Sequence, residues 1–422
     1  MYTYLRGGLL IDKPQNILIE NDRIKEIFDE DIVSSLSDDT KVIDCSGKII
    51  FPGIIDVHVH FREPGNEEKA DMKTESLAAL FGGVTTVFDM PNNTPPITNT
   101  KAFFDKVELA KKNMACNFRL FFGLTNNNIE QAVELKSEYL AGLKLFLGSS
   151  TGNMLVDNED SVKELFKKSD KIIVAHCEDE KLIRLNIEKY KNLSPLPHNI
   201  HSLIRDTDVC YNSSAFAVSL AKKYDTQFHI AHLTTAKEIS LLTNDRLENK
   251  NITAEVSPNH LYFCEDDYKD LKNLIKCNPS IKTSNDRHLL RQALKEGLID
   301  IVATDHAPHL LEEKQKDYFQ CPSGIPSLQF SLLMMLQIAK EENWSLSLIA
   351  EKMCINPAKR FDIKDRGEIK KGYYADMTII NPQKRTIVTK DIIKSKCGWS
   401  PLIGKTFDNC IEMTLLNGKI IK

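Results

Sequence analysis

Apolar positions along the chain follow two rhythms. In the middle, short apolar runs alternate with stretches of helical spacing. The runs are IIDVHVH (54–60), TTVFDM (85–90), FRLFFG (118–123), GLKLFL (142–147), KIIVAH (171–176), QFHIAH (227–232), ITAEVS (252–257) and DIVATD (300–305). Between them lie segments such as NTKAFFDKVELAKKN and SNDRHLLRQALKEG, whose apolar residues recur at helical intervals. Eight strands alternating with helices over roughly 250 residues predict a (β/α)₈ TIM-type barrel. At both ends the texture changes. LIDKPQNILIENDRIKEIF alternates apolar and polar residues around the turn pair Asn21-Asp22, and Gly367, Gly372 and Gly418 punctuate short β-rich runs near the C-terminus. The α/β reading is therefore a barrel over 53–364 and a small β-sandwich domain assembled from 1–52 and 365–422.

Composition narrows the class. A 422-residue chain with 42% hydrophobic and 27% charged residues is globular and suits one large barrel with an accessory domain. The net charge of −4 gives no positive field for nucleic acid or an anionic membrane, so a small-molecule partner is expected. No apolar run approaches the ~18 residues of a membrane span, and the N-terminal residues do not read as a signal peptide. The ten cysteines form no C-x-x-C pair and read as reduced core residues of a cytoplasmic protein.

Six of the eight strands end in or beside a group that can bind a metal or a substrate, and in such barrels those ends form the active-site face. His58 and His60 are two apart, so one strand face carries both. His176 closes the fifth strand and His232 the sixth, and imidazole suits zinc and related metals. His229, three residues before His232, points the other way and reads as structural. Asp305 ends the eighth strand, either as a turn aspartate or as a carboxylate completing a cluster. Lys144 alternates with Leu143, Leu145 and Leu147. It is either an exterior lysine with its stem along apolar surface or an interior amine, altered or paired. One such alteration is a carbamate formed with carbon dioxide, whose two oxygens could bridge two metals.

Six segments, DVHVHFREPG (56–65), MPNNTPP (90–96), AGLKLFL (141–147), AHCE (175–178), AHLTT (231–235) and ATDHAPH (303–309), resemble the amidohydrolase superfamily and, within it, the dihydroorotase family. The resemblance implies a binuclear zinc centre in which His58 and His60 bind one metal with Asp305, His176 and His232 bind the other, and carboxylated Lys144 bridges them. It makes Arg62, Asn92 and His309 contacts to a substrate carboxylate, with His60 at the same rim. Asn278 and Ser323-Gly324 become contacts to the substrate ring. It also puts a loop able to cover the substrate at Ser149, Ser150, Thr151 and Gly152. His260, in EVSPNHL, receives no role.

The implied reaction is reversible hydrolysis of the cyclic amide of dihydroorotate to N-carbamoyl-L-aspartate, a step of pyrimidine synthesis. A hydroxide bridging the metals attacks, and Asp305 serves as general acid and base. A homo-oligomer, specifically a dimer, is expected. The alternatives are a related cyclic amidase, such as an allantoinase or a dihydropyrimidinase (hydantoinase), which would not need Arg62 to meet a carboxylate, and a non-catalytic scaffold subunit, which would lack metal ligands.

Overall fold

The computed structural model describes residues 1–11, 13–148 and 154–421. Its central element is an eight-stranded parallel sheet with neighbours in chain order: β1 (Ile54–Val59), β2 (Val84–Asp89), β3 (Asn117–Gly123), β4 (Leu140–Phe146), β5 (Ile173–His176), β6 (Phe228–Ile230), β7 (Ile252–Val256) and β8 (Ile301–Val302). A parallel bridge between Val59 and His306 brings the first strand against the segment after the last, closing the barrel. The strands are rich in Val, Ile, Leu and Phe because both faces are covered, as parallel sheets require.

Alternation sorts their side chains. Leu143, Leu145, Ile173, Ala175, Phe228 and Ile230 pack outward with helix residues such as Phe103, Val107 and Phe166. Ile55, Val57, Phe88, Phe121, Val174 and Ile301 pack inward with Phe361. Phe361 meets Phe88 edge-on at 5.2 Å and Phe121 at 6.3 Å, so aromatic rings form a floor under the barrel's upper mouth. The surrounding helices begin at side-chain caps. Asp71, Asn99, Asp206 and Thr283 accept from backbone N–H groups of Thr74, Ala102, Val209 and Asp286. After β6 the connection holds the 3₁₀ turns Ala236–Leu241 and Leu247–Asn249 rather than an α-helix.

Both chain ends enter one mixed sheet. Tyr2–Leu10, Lys13–Glu20, Arg23–Phe28, Lys41–Asp44 and Ile49–Pro52 come from the N-terminal side, and Met377–Asn381, Cys410–Leu416 and Lys419–Ile420 from the C-terminal side. The join is antiparallel, with Pro52 opposite Met377 and Ile49 opposite Ile380. Pro52 is two residues from β1, so this pairing fixes where the barrel begins. The loop expected to cover the substrate, at Ser149, Ser150, Thr151 and Gly152, lies outside the described residues.

Candidate active site

The upper mouth of the barrel is a tight pocket lined by His58, His60, Arg62, Lys144, Phe146, His176, His232, Asn278, Asp305, Ala307, Ser323 and Gly324. Of the residues singled out in the sequence, all the metal and catalytic candidates and all the substrate candidates but Asn92 and His309 line it. Those two stand directly behind the lining. Asn92 Oδ1 lies 2.7 Å from His60 Nδ1, and His309 Nε2 lies 3.1 Å from Arg62 Nη2.

Strand geometry brings the imidazoles together. His58 on β1 and His60, one residue past its end, turn to the same side, with ring centroids 5.4 Å apart. His232 stands 5.3 Å from His58 and 4.8 Å from His176. His176 Nδ1 and His232 Nε2 are 3.0 Å apart. Asp305 Oδ1 lies 3.0 Å from His60 Nε2 and 3.3 Å from His58 Nε2, and these three residues present ligand atoms within 4.8 Å of one another. Strands β6 and β8 end before His232 and Asp305 because those residues have φ 36° and φ 50°. His229 faces inward by alternation with Phe228 and Ile230, and the left-handed turn at His232 brings that ring to the same side, so both histidines point in. Its Nε2 lies 3.2 Å from Glu255 Oε2 and its ring 5.7 Å from Phe361. Arg62, at φ 66°, is the third non-glycine residue of the mouth in this strained region.

Lys144 settles on the inward face with Phe146. Its Nζ is fully buried, has no hydrogen-bond partner among the described residues, and lies 5.2 Å from the Phe146 ring. Burial lowers its pKa to about 8. His232 Nδ1 is likewise buried and unpartnered. An orphan amine and an orphan imidazole nitrogen beside two further histidines and a carboxylate cost free energy as they stand. The donor set fits metal ions, and a neutral amine is the form that adds carbon dioxide. Burial works to raise the pKa of Asp305, but His58 and His60 outweigh it and keep the carboxylate ionised below its ordinary value.

Behind these imidazoles is a set of carboxylates that sequence reasoning missed. Glu255, on β7, contacts His58 Nδ1 and His229 Nε2, and its Oε1 accepts from the His232 backbone N–H at 3.2 Å. Those imidazoles overcome its burial and hold it well below the usual carboxylate range. Glu178 lies 2.9 Å from His176 Nε2 and also pairs with Arg205. Burial opposes ionisation, yet the Arg205 charge, with the His176 hydrogen bond, brings its pKa down to about 2. Such partners orient a ligating ring and fix its tautomer.

On the opposite side, Arg62 is buried, its Nε donates to Pro308 O at 3.0 Å, and no carboxylate among the described residues pairs with it. Burial drops its pKa only to about 10, so it stays cationic. Gly324 has φ 153°, and a Cβ there would meet Ala307 O at 2.3 Å, so only glycine lets this strand-like segment run against the mouth.

A family model described as Amidohydrolase family matches residues 49–421. The chain belongs to the amidohydrolase family. Among its relatives, a dihydroorotase of Methanosarcina acetivorans is 35% identical, with 97% of this chain and 88% of the relative covered. A dihydroorotase of Pyrococcus furiosus is 32% identical, covering 100% of this chain and 92% of its own length. These matches group this amidohydrolase with the dihydroorotases. Solved structures with the same fold include the L-hydantoinase (dihydropyrimidinase) from Arthrobacter aurescens, with TM-score 0.93, 24% identity and coverage of 100% of this chain and 96% of that one. Dihydropyrimidinase from Brevibacillus agri superposes with TM-score 0.89 at 20% identity, covering 100% and 95%. The amidohydrolase barrel and its added sheet are thus shared across the group.

Proposed function

We propose that this hydrolase of cyclic amides is a dihydroorotase, interconverting dihydroorotate and N-carbamoyl-L-aspartate for pyrimidine synthesis. The observation that carries the choice is Arg62, a buried cation at the rim of the mouth without a carboxylate partner among the described residues. Dihydroorotate brings a carboxylate; hydantoin and allantoin bring none. The dihydroorotase names of the similar full-length chains point the same way.

His58, His60 and Asp305 would hold one divalent ion and His176 and His232 a second, with Lys144 as its carbamate between them. Zinc is the metal this donor set favours. Bound there, the ions would polarise the ring amide carbonyl and bring the pKa of water to about 7. Asp305 takes the proton of the attacking water and delivers it to the departing ring nitrogen. Arg62 and His309 grip the exocyclic carboxylate, while Asn92 meets the same group and orients His60. Asn278 and the Ser323-Gly324 segment face the polar ring edge. His309 is neutral, since burial and the neighbouring Arg62 and Lys69 lower its pKa far below the ordinary imidazole value. A neutral ring lets the single cation of Arg62 bind the carboxylate without repulsion beside it.

No helix among the described residues is long and apolar enough to cross a membrane. A cytoplasmic homodimer completes the reading, and sedimentation analysis tests the dimer. The deciding experiment assays the zinc-loaded protein with dihydroorotate and with N-carbamoyl-L-aspartate, against hydantoin and allantoin. Turnover of the first pair with one or more bound zinc ions per chain is expected. Faster turnover of allantoin or hydantoin would move the protein to the related amidases, and a metal-free inert chain would make it a scaffold.

A further inference from the structure

Two histidines outside the proposed ligand set bond the two carbonyls that flank one residue of the mouth. His201, in the helix Ile200–Ile204 between β5 and β6, lies 2.8 Å from Cys277 O through Nε2. His260, in the helix Pro258–Tyr262 after β7, lies 3.0 Å from Pro279 O through Nε2. The residue between those carbonyls is Asn278, which lines the mouth. Its side-chain oxygen is buried with no hydrogen-bond partner among the described residues.

The other nitrogen of each ring fixes its tautomer. Tyr318 Oη lies 2.8 Å from His201 Nδ1, and Ser257 Oγ lies 2.8 Å from His260 Nδ1. Both rings are buried, and burial takes His201 well below its ordinary pKa and His260 to about 4. Each is therefore a neutral imidazole with one N–H. With the hydroxyls donating to Nδ1, that N–H sits on Nε2 and donates to the carbonyl. Tyr318 belongs to the connection after β8, which also carries Ser323 and Gly324. Lys314 ties the same segments, donating to Lys276 O, Pro322 O and Gly324 O at 3.0 Å each.

We propose that His201 and His260 are positioning residues that hold the Cys277-Asn278-Pro279 backbone so that Asn278 meets the polar ring edge of the substrate. The proposal rests on the assignment of Asn278 as a substrate contact. A side chain on a connection has no strand ladder to aim it. Two donors from separate segments remove the rotation and sliding that a single tether would leave.

The test is a double-mutant cycle on the zinc-loaded protein, with His260→Leu, Asn278→Ala and the pair, and the same with His201→Leu. Each single variant should raise KM for dihydroorotate about tenfold, the worth of one hydrogen bond, with kcat and zinc content near wild type. The double variants should also stand about tenfold up rather than a hundredfold, because both changes remove one contact. His260→Gln and His201→Gln, which keep an N–H donor, should recover most of the loss. Backbone amide exchange in the leucine variants should rise in 276–281, and for His201→Leu also in 318–324. Multiplying effects, a loss confined to kcat, or zinc loss would overturn the proposal. So would unchanged exchange in those segments. A leucine variant that fails to fold leaves the decision to the glutamine variants, whose failure to approach wild-type KM would overturn it. A wild type that turns over neither dihydroorotate nor N-carbamoyl-aspartate rejects the functional reading instead, and the exchange measurement then decides the clamp without substrate.

Discussion

The two sides of the mouth are built by different means. On the proposed metal-facing side, Lys144 and His176 sit on β4 and β5, where alternation turns them inward, while His58 and His60 come at the end of β1, where a register shift between Asp56 and Val59 lets them share the inner side with Ile55 and Val57. On the substrate-facing side, Arg62, Asn278, His309, Ser323 and Gly324 all sit on connections. There the backbone is held by polar ties: Arg62 Nε to Pro308 O, Lys314 to three carbonyls, His201 and His260 to the carbonyls beside Asn278. On the proposed function, the contrast places chemistry on the barrel wall and choice of substrate on the connections. Changes on the wall should therefore move turnover or metal content, and changes on the connections should move KM and selectivity.

The sharpest way to break that division is Asp305→Asn. Removing the proposed proton carrier should cut kcat by about 10²–10⁴-fold while zinc stays bound, read by steady-state turnover and metal analysis of the same sample. Near-normal turnover would take Asp305 out of proton transfer. Next in size is Arg62→Met, on the other side. A charge-assisted hydrogen bond to a carboxylate is worth about 1.5–3 kcal/mol, so KM for dihydroorotate should rise ten- to a hundredfold. Any slow turnover of hydantoin should be untouched. Equal losses on both substrates would place Arg62 in the general architecture rather than at the carboxylate.

The same contrast governs what could be read before any coordinates. Period-two spacing put His58 and His60 on one face, and the strand ends located His176, His232 and Asp305. The predicted strands at 227–232 and 300–305 shrink to Phe228–Ile230 and Ile301–Val302, because backbone turned left-handed at His232 and Asp305 cannot continue a ladder. Alternation itself puts His229 inside, since Phe228 and Ile230 face out; the twist turns His232 to the same side, so the two do not point opposite ways as expected. Lys144 was ambiguous for a different reason: alternation says that it opposes Leu143 and Leu145 but not which face is the interior. Glu255 had a usable signal, an acid alternating with Ala254 and Val256 inside an apolar strand. His201 had none, since its partners lie 76 and 117 residues further along the chain.

A third prediction concerns the amine of Lys144. With its pKa lowered to about 8 by burial, it is mostly protonated below that pH and mostly neutral above it. Only the neutral amine adds carbon dioxide. At fixed dissolved carbon dioxide, reactivation of metal-stripped protein should therefore speed up as pH rises, by about fiftyfold between pH 6 and 8, and then level off. The readout is the rate at which activity returns after zinc addition. A rate indifferent to pH over that range would argue against carbamate formation, whereas a rise continuing to pH 10 would mean an ordinary lysine.

The smallest effect tests whether the metal-facing wall is as self-sufficient as alternation suggests. Glu255 is a strand residue, yet it acts as the connections' lysines and histidines do, tying His58, His229 and the His232 backbone together. In Glu255→Gln one oxygen remains for His58 Nδ1–H, but an NH₂ replaces the oxygen that faces His229. The negative charge that raises the basicity of His58 is also lost. Zinc affinity should fall about tenfold, the lower end of what such partners of ligands contribute. Competition with a chelator measures it, and kcat at saturating zinc should change little. If affinity is unchanged, strand geometry alone orients the ligands, and the two sides of the mouth differ as sharply as their backbones do. A tenfold loss would instead show that the wall, too, relies on a polar tie at the one place where β1, β6 and β7 must agree on the position of a metal.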